Sequence, residues 1–205
     1  MEAIVAEFPT FSSSQKMVLH FSGISIVCVK STFKEKEMPA DSVLRDKLRS
    51  GGVVCRESVT LRAGAKSDVY YDIKKAYGDP YLLSRIAERI VRELIPDTTC
   101  VAASGHGGLP LAGAIAFCKN LKLSLVRDQP KNHGRNTLID GHLPTKNDLV
   151  VIVDDVLTSG SSLRRTYDVL REAGAGSIYG YVVLKRGSPE LPFSHHSIFT
   201  EADFL

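Results

Sequence analysis

The sequence predicts an α/β fold: a central, mainly parallel sheet flanked by helices. Two features carry the prediction. The runs Leu149–Val153 and Ile178–Leu184 are apolar and rich in β-branched residues. They lack the polar alternation of a strand with one face in water, so both faces must be covered. Segments with the apolar spacing of amphipathic helices separate these runs from shorter strand candidates, as expected for a parallel sheet. Ligands of such sheets bind beyond the carboxyl ends of the strands, which is where site residues are sought.

Taken in order, residues 1–38 form an N-terminal extension set apart by composition, and residues 39–205 form the main domain. The extension holds Ser12-Ser13-Ser14, an apolar run from Met17 to Val29 and the charge cluster Lys34-Glu35-Lys36-Glu37. Within the run, Ile24, Ile26 and Cys28 alternate with Ser25, Val27 and Val29, the pattern of a short strand. A natural start at Met38 is one expectation for this region, which the intact mass of natively expressed protein would test. From Asp41, Val43, Leu44 and Leu48 give a short helix ended by Gly51-Gly52. Val53–Cys55, Val59–Leu61 and Val69–Ile73 read as short strands. Asp79-Pro80 opens a helix with proline in the first turn, lined by Leu82, Leu83, Ile86, Ile90 and Leu94 and stopped by Pro96. Strands follow at Cys100–Ala103, Leu123–Val126, Leu149–Val153 and Ile178–Leu184, with helices at Leu109–Cys118 and Ser161–Ala173.

Composition narrows the class. With 43% hydrophobic and 24% charged residues in 205, the chain is neither collagen-like, nor a coiled coil, nor mainly disordered. Its 26 basic and 23 acidic residues leave a net charge of +3, too small an excess to argue for nucleic acid but compatible with a local site for an anion. Cys28, Cys55, Cys100 and Cys118 form no CxxC pair, and free thiols fit a reducing cytoplasm. The run from Met17 to Val29, interrupted by His20 and Gly23, is too short and too polar to span a membrane, and it lacks the order of a signal peptide.

The most informative segment is Val150–Ser162. A strand runs into Asp154 and Asp155, then Val156-Leu157, then Thr158-Ser159-Gly160-Ser161-Ser162 at a helix start. Small residues there leave backbone N–H groups and the positive end of the helix dipole open to a phosphate. The adjacent carboxylates would repel that phosphate but accept hydrogen bonds from sugar hydroxyls. A strand ending in Asp before a capped helix is common architecture. The full order of residues is far more specific, and it describes a site for a phosphorylated sugar. It is not a Walker loop, since no Gly-Lys-Ser/Thr occurs.

This segment resembles the signature of type I phosphoribosyltransferases, which bind phosphoribosyl pyrophosphate (PRPP). The resemblance implies that family's fold, with a small hood built largely from the N-terminal part. It also implies that Asp154 and Asp155 bind the ribose hydroxyls, that Thr158, Ser159, Gly160, Ser161 and Ser162 wrap the 5-phosphate, and that Mg²⁺ is the cofactor. In the family the metal is held mostly by pyrophosphate and ribose oxygens, so no dedicated protein ligands are assigned.

Other segments narrow the branch. Arg127, Lys131 and His133 lie in the polar stretch that begins at Arg127 and continues to Gly141 and Pro144, and all three are able to neutralise a pyrophosphate. The stretch resembles the catalytic loop of orotate phosphoribosyltransferases, with an Arg followed by Lys-x-His-Gly. That resemblance implies catalytic roles for Lys131, His133 and Asp155, and a homodimer whose loops close over the neighbouring subunit's site. Leu61–Lys75 resembles the family's orotate-side loop and strand, and Ala103–Ala112 its pyrophosphate loop. Arg186 corresponds to the arginine that contacts orotate. On this basis orotate is assigned to Arg62, Thr158 and Arg186, a guanidinium being suited to a carboxylate-bearing pyrimidine. The departures are Gly107 and Asp128, where some members carry Lys, and Arg62, where Lys is frequent. His195-His196 is not assigned to metal, because neighbouring side chains on a strand point apart.

The activity implied is transfer of the phosphoribosyl group from PRPP to orotate, in pyrimidine biosynthesis, with no membrane or nucleic-acid partner. Two alternatives remain open at this level: a phosphoribosyltransferase for another base, and a PRPP-sensing regulator that binds nucleic acid.

Overall fold

The computed structural model describes residues 41–55, 69–129 and 138–205, together with the short strands at 17–21, 24–28, 59–60 and 66–67. The chain divides into two compact units, Met1–Pro39 and Ala40–Leu205. In the first, β1 (Met17–Phe21) pairs antiparallel with β2 (Ile24–Cys28). The alternation over Ile24–Cys28 therefore does mark a strand, and the apolar residues before it form that strand's partner.

In the second unit, α1 (Asp41–Ser50) is followed by four two-residue strands: β3 (Val54–Cys55), β4 (Val59–Thr60), β5 (Lys66–Ser67) and β6 (Tyr70–Tyr71). They form two small antiparallel pairs, β3 with β6 and β4 with β5. The chain then tightens into a 3₁₀ turn, Ile73–Gly78, and α2 (Pro80–Glu93). Pro80 stands at the start of α2, and the Asp79 carboxylate caps it by accepting from the Tyr81 N–H at 2.9 Å.

The main sheet takes β7 (Cys100–Ser104), β8 (Lys122–Val126), β9 (Ile139–Gly141), β10 (Leu149–Leu157), β11 (Ser177–Lys185) and β12 (His195–Thr200). Their order across the sheet is β12-β11-β10-β7-β8-β9, and every pairing is parallel except that of β8 with β9. Helices α3 (Gly105–Lys119) and α4 (Ser161–Glu172) follow β7 and β10.

Side-chain alternation splits the core between the two faces. Val101, Ala103, Val151, Val153, Tyr181 and Val183 pack with Ile86, Ile90, Ala112 and Ile115 of α2 and α3. Cys100, Ala102, Val150, Ile152 and Val182 pack with Leu163, Val169 and Leu170 of α4. Both faces of β7 and β10 are thus covered by apolar side chains, which is why these strands show no polar alternation.

The observed elements differ from the expected ones at informative places. The central strand β10 continues past Val153 to Leu157, because β11 still pairs with Val156 and Leu157. The acidic pair is therefore part of the strand. The polar stretch after Arg127 contains the edge strand β9, and the tail contains β12, held by parallel pairing to β11. Helix α3 starts at Gly105, earlier than Leu109: Gly105 turns the chain out of β7 in the left-handed region at φ 67°, and the glycines that follow are taken into the helix in spite of their low helix propensity. The segment ending at Ile73 turns into 3₁₀ helix there.

Candidate active site

Parallel pairing brings the carboxyl ends of β7, β8, β10 and β11 to one edge of the sheet. These ends present Ser104, Arg127, the Asp154-Asp155 pair and Arg186.

Asp154 is buried and Asp155 is mostly so. Asp154 Oδ1 accepts the Asp155 N–H at 2.9 Å, and Asp155 Oδ1 accepts the Val156 N–H at 2.8 Å. Burial, and then the neighbouring Asp155 charge, push the Asp154 carboxyl well above its ordinary range, with the Asp155 N–H working in the opposite direction. Asp155 is compensated by Lys74, whose Nζ lies 3.2 Å from Oδ2. The same ammonium is 3.3 Å from Asp72 Oδ1, a buried atom with no hydrogen bond among the described residues. Burial works to lower the Lys74 pKa, but the charge and hydrogen bond of Asp155 outweigh it and the net shift is upward.

The other side of Asp155 is closed by α3. A Cβ at Gly107 would overlap the Asp155 carboxylate, and one at Gly108 would press on the Val153 carbonyl and the Ala103 methyl. Both positions need glycine for this close approach. The Tyr77 hydroxyl donates to the Gly107 carbonyl at 3.0 Å. Burial first, and the Asp155 and Asp154 charges second, raise its pKa, so it stays a phenol.

Beyond Leu157, Thr158 and Ser159 are exposed and Gly160 is buried in the left-handed region at φ 74°. A side chain at 160 would be strained and would meet Leu191 and Pro189. Ser161 and Ser162 then open α4, whose first-turn N–H groups have no partner within the helix. The Ser159 hydroxyl donates to Ser161 Oγ at 3.2 Å. Behind this loop, Ser104 Oγ lies 2.8 Å from Thr166 Oγ1 and 3.4 Å from Ser162 Oγ, tying the end of β7 to α4.

Arg186, just after β11, is no loose surface charge. Its Nη1 donates to the Val69 carbonyl at 3.0 Å, its Nε pairs with Glu201 at 3.2 Å, and its guanidinium lies over the Tyr71 ring at 5.7 Å. Arg127 pairs with Asp140 of β9. Asp128, the departure noted above, accepts from Arg165 of α4 at 2.7 Å, and Arg165 also donates to the Arg127 and Asp128 carbonyls.

The structure therefore brings Asp154, Asp155, Thr158, Ser159, Gly160, Ser161 and Ser162 together and places Arg127 and Arg186 on the same strand-end edge. Arg62, Lys131 and His133 lie outside the described residues. Sequence reasoning passed over Lys74, Tyr77, Ser104 and Thr166. Lys74 stood inside the orotate-side segment, but nothing in its spacing points it at a carboxylate on β10.

An acidic strand end feeding a Ser/Thr/Gly loop at a helix N-terminus defines a protein that holds a phosphorylated sugar. The phosphoribosyl transferase domain family matches residues 82–203, more than half of the chain, and the chain belongs to that family. Within it, the chain belongs with the orotate phosphoribosyltransferases. The enzyme of that name from Methanosarcina mazei is 39% identical over 142 residues, 68% of this chain and 74% of the relative. The one from Methanocorpusculum labreanum is 37% identical over 134 residues, 64% of this chain and 77% of the relative. The crystal structure of orotate phosphoribosyltransferase from Aeropyrum pernix superposes with a TM-score of 0.64 at 28% identity, covering 78% of this chain and 94% of that one.

Proposed function

We propose that the protein converts orotate and PRPP to orotidine 5-monophosphate and pyrophosphate, a step of pyrimidine biosynthesis. The observation that carries this reading is the adjacency of two carboxylates on β10 and an open phosphate loop at α4, with Arg186 at the end of the neighbouring strand β11. Asp154 and Asp155 accept the ribose hydroxyls. Thr158–Ser162 hold the 5-phosphate through hydroxyl and backbone donors. Arg186, already ordered against Tyr71 and Val69, faces the orotate carboxylate, with Arg62 and Thr158 as further contacts.

The ring N–H of orotate gives up its proton to solvent, the freed electron pair bonds to C1 of the ribose, and the bond from C1 to the pyrophosphate oxygen breaks with its electrons leaving on pyrophosphate. The protein's part is orientation and electrostatics, without a covalent intermediate. Arg127, Lys131 and His133 stabilise the departing charge, and His133 supplies a proton to it. Mg²⁺ would be held mainly by the hard oxygens of pyrophosphate and ribose, with no dedicated protein ligand, and when bound it would neutralise pyrophosphate charge. The same reading makes the enzyme a cytoplasmic homodimer with loops shared between sites. Sedimentation of a monomer alone, at 22.4 kDa, would remove the shared site.

The decisive assay follows orotate ultraviolet absorbance on addition of PRPP, with and without Mg²⁺. Metal-dependent loss is expected. Unchanged absorbance, with PRPP still bound, would move the assignment to another base or to a PRPP-sensing regulator.

A further inference from the structure

The acidic pair poses an electrostatic problem that the substrate contacts alone do not solve. Asp154 is buried, Asp155 lies directly beside it, and a ribose brings neutral hydroxyls that supply no counter-charge. A pair of carboxylates able to accept two hydroxyls at once must be held apart and kept oriented before the sugar arrives.

Each Asp155 oxygen has a distinct partner. Oδ1 takes the Val156 N–H at 2.8 Å, and Oδ2 takes the Lys74 ammonium at 3.2 Å. The carboxylate is pressed against the Cα of Gly107, with no room for a Cβ. Lys74 is itself strung between Asp155 and Asp72, and it leaves the 3₁₀ turn whose Tyr77 donates to the Gly107 carbonyl at 3.0 Å. One short turn thus grips both the carboxylate and the backbone it rests on.

We propose that Lys74 is a positioning residue of the sugar-phosphate site, holding the Asp155 carboxylate against Gly107 in the orientation that receives a ribose hydroxyl. The inference rests on the reading of Asp154 and Asp155 as the ribose-binding pair. Lys74 is half-exposed, so its loss leaves the apolar core untouched, and its action on the sugar passes through Asp155.

The test measures PRPP binding by calorimetry, with KM for PRPP and for orotate, in wild type, Lys74→Met, Lys74→Arg and Gly107→Ala. Loss of a charge-assisted hydrogen bond should weaken PRPP binding and raise its KM by about tenfold, with KM for orotate changed less than about twofold. Lys74→Arg should recover most of the PRPP affinity. Gly107→Ala, which displaces the same carboxylate from the other side, should show the same PRPP-specific loss. Equal changes for both substrates, or Lys74→Met binding PRPP as wild type does, would overturn the proposal while leaving the site reading intact. Wild type that binds no PRPP would overturn both.

Discussion

Strand β10 is bracketed by two buried aspartates that live in opposite environments. Asp148, just before the strand, accepts hydrogen bonds from Thr99 Oγ1 at 2.9 Å, Lys122 Nζ at 2.8 Å, and the Thr145 N–H and hydroxyl at 2.9 and 3.0 Å, with His142 Nε2 at 3.0 Å. Burial alone would raise its pKa, but these donors overcome it and hold the carboxyl far below its ordinary range. Asp154, near the other end, has its pKa raised by burial and by Asp155. The amino end of the strand satisfies its carboxylate with protein groups. The carboxyl end gives Asp154 fewer donors, the Asp155 N–H and Ser162, and sets a second carboxylate beside it. On the proposed reading, the contrast separates a residue kept for stability from one kept for binding.

The largest effect should come from breaking the satisfied end. Asp148→Ala removes the buried acceptor shared by Thr99, Lys122, His142 and Thr145, and denaturant unfolding should show a loss of about 2–3 kcal/mol. The folded fraction should keep its PRPP affinity, and a selective loss of that affinity would erase the contrast.

Next in size is Asp154→Asn, where stability and function should move apart. The native pKa of Asp154 is raised, so its contribution is fully present below its usual 3.8 and is lost as pH rises through the raised value. Removing the charge should raise the melting temperature at pH 7–8 by about 3 °C, the shift that roughly 1 kcal/mol gives in a domain this size. The gain should vanish toward pH 4, and turnover should fall throughout. For Asp148 the sign is opposite: its stabilisation is present above its usual 3.8 and is lost as pH falls below it. A melting profile in which Asp154→Asn tracks wild type at every pH would show that the two ends are alike.

The smallest effect belongs to Asp128→Ala. Its pair with Arg165 is exposed, and Arg165 retains the backbone carbonyls of Arg127 and Asp128. Stability should change by less than about 0.5 kcal/mol. A larger loss in thermal melting would make this surface contact part of the framework.

Much of this was legible beforehand. The apolar runs of β10 and β11, the Asp79-Pro80 helix start and the order from Asp154 to Ser162 are local patterns, and local physics produces them: continuous burial, capping, and small residues at a helix N-terminus. Strand β12 and strand β9 were not legible. His195–Thr200 carries mixed polarity and is a strand because β11 offers it a free edge, while Ile139–Gly141 is fixed by β8.

The chain's own order of residues determined the fold class, the central strands and the phosphate loop, because each is specified by neighbours a few positions away. Only the tertiary structure decided which carboxylate is satisfied and which is poised. The partners of Asp148 include Thr99 and Lys122, and the partner of Asp155 is Lys74, all far away along the chain. A side chain's charge state is set by the donors and the burial that folding brings to it, and no sequence spacing encodes that distance.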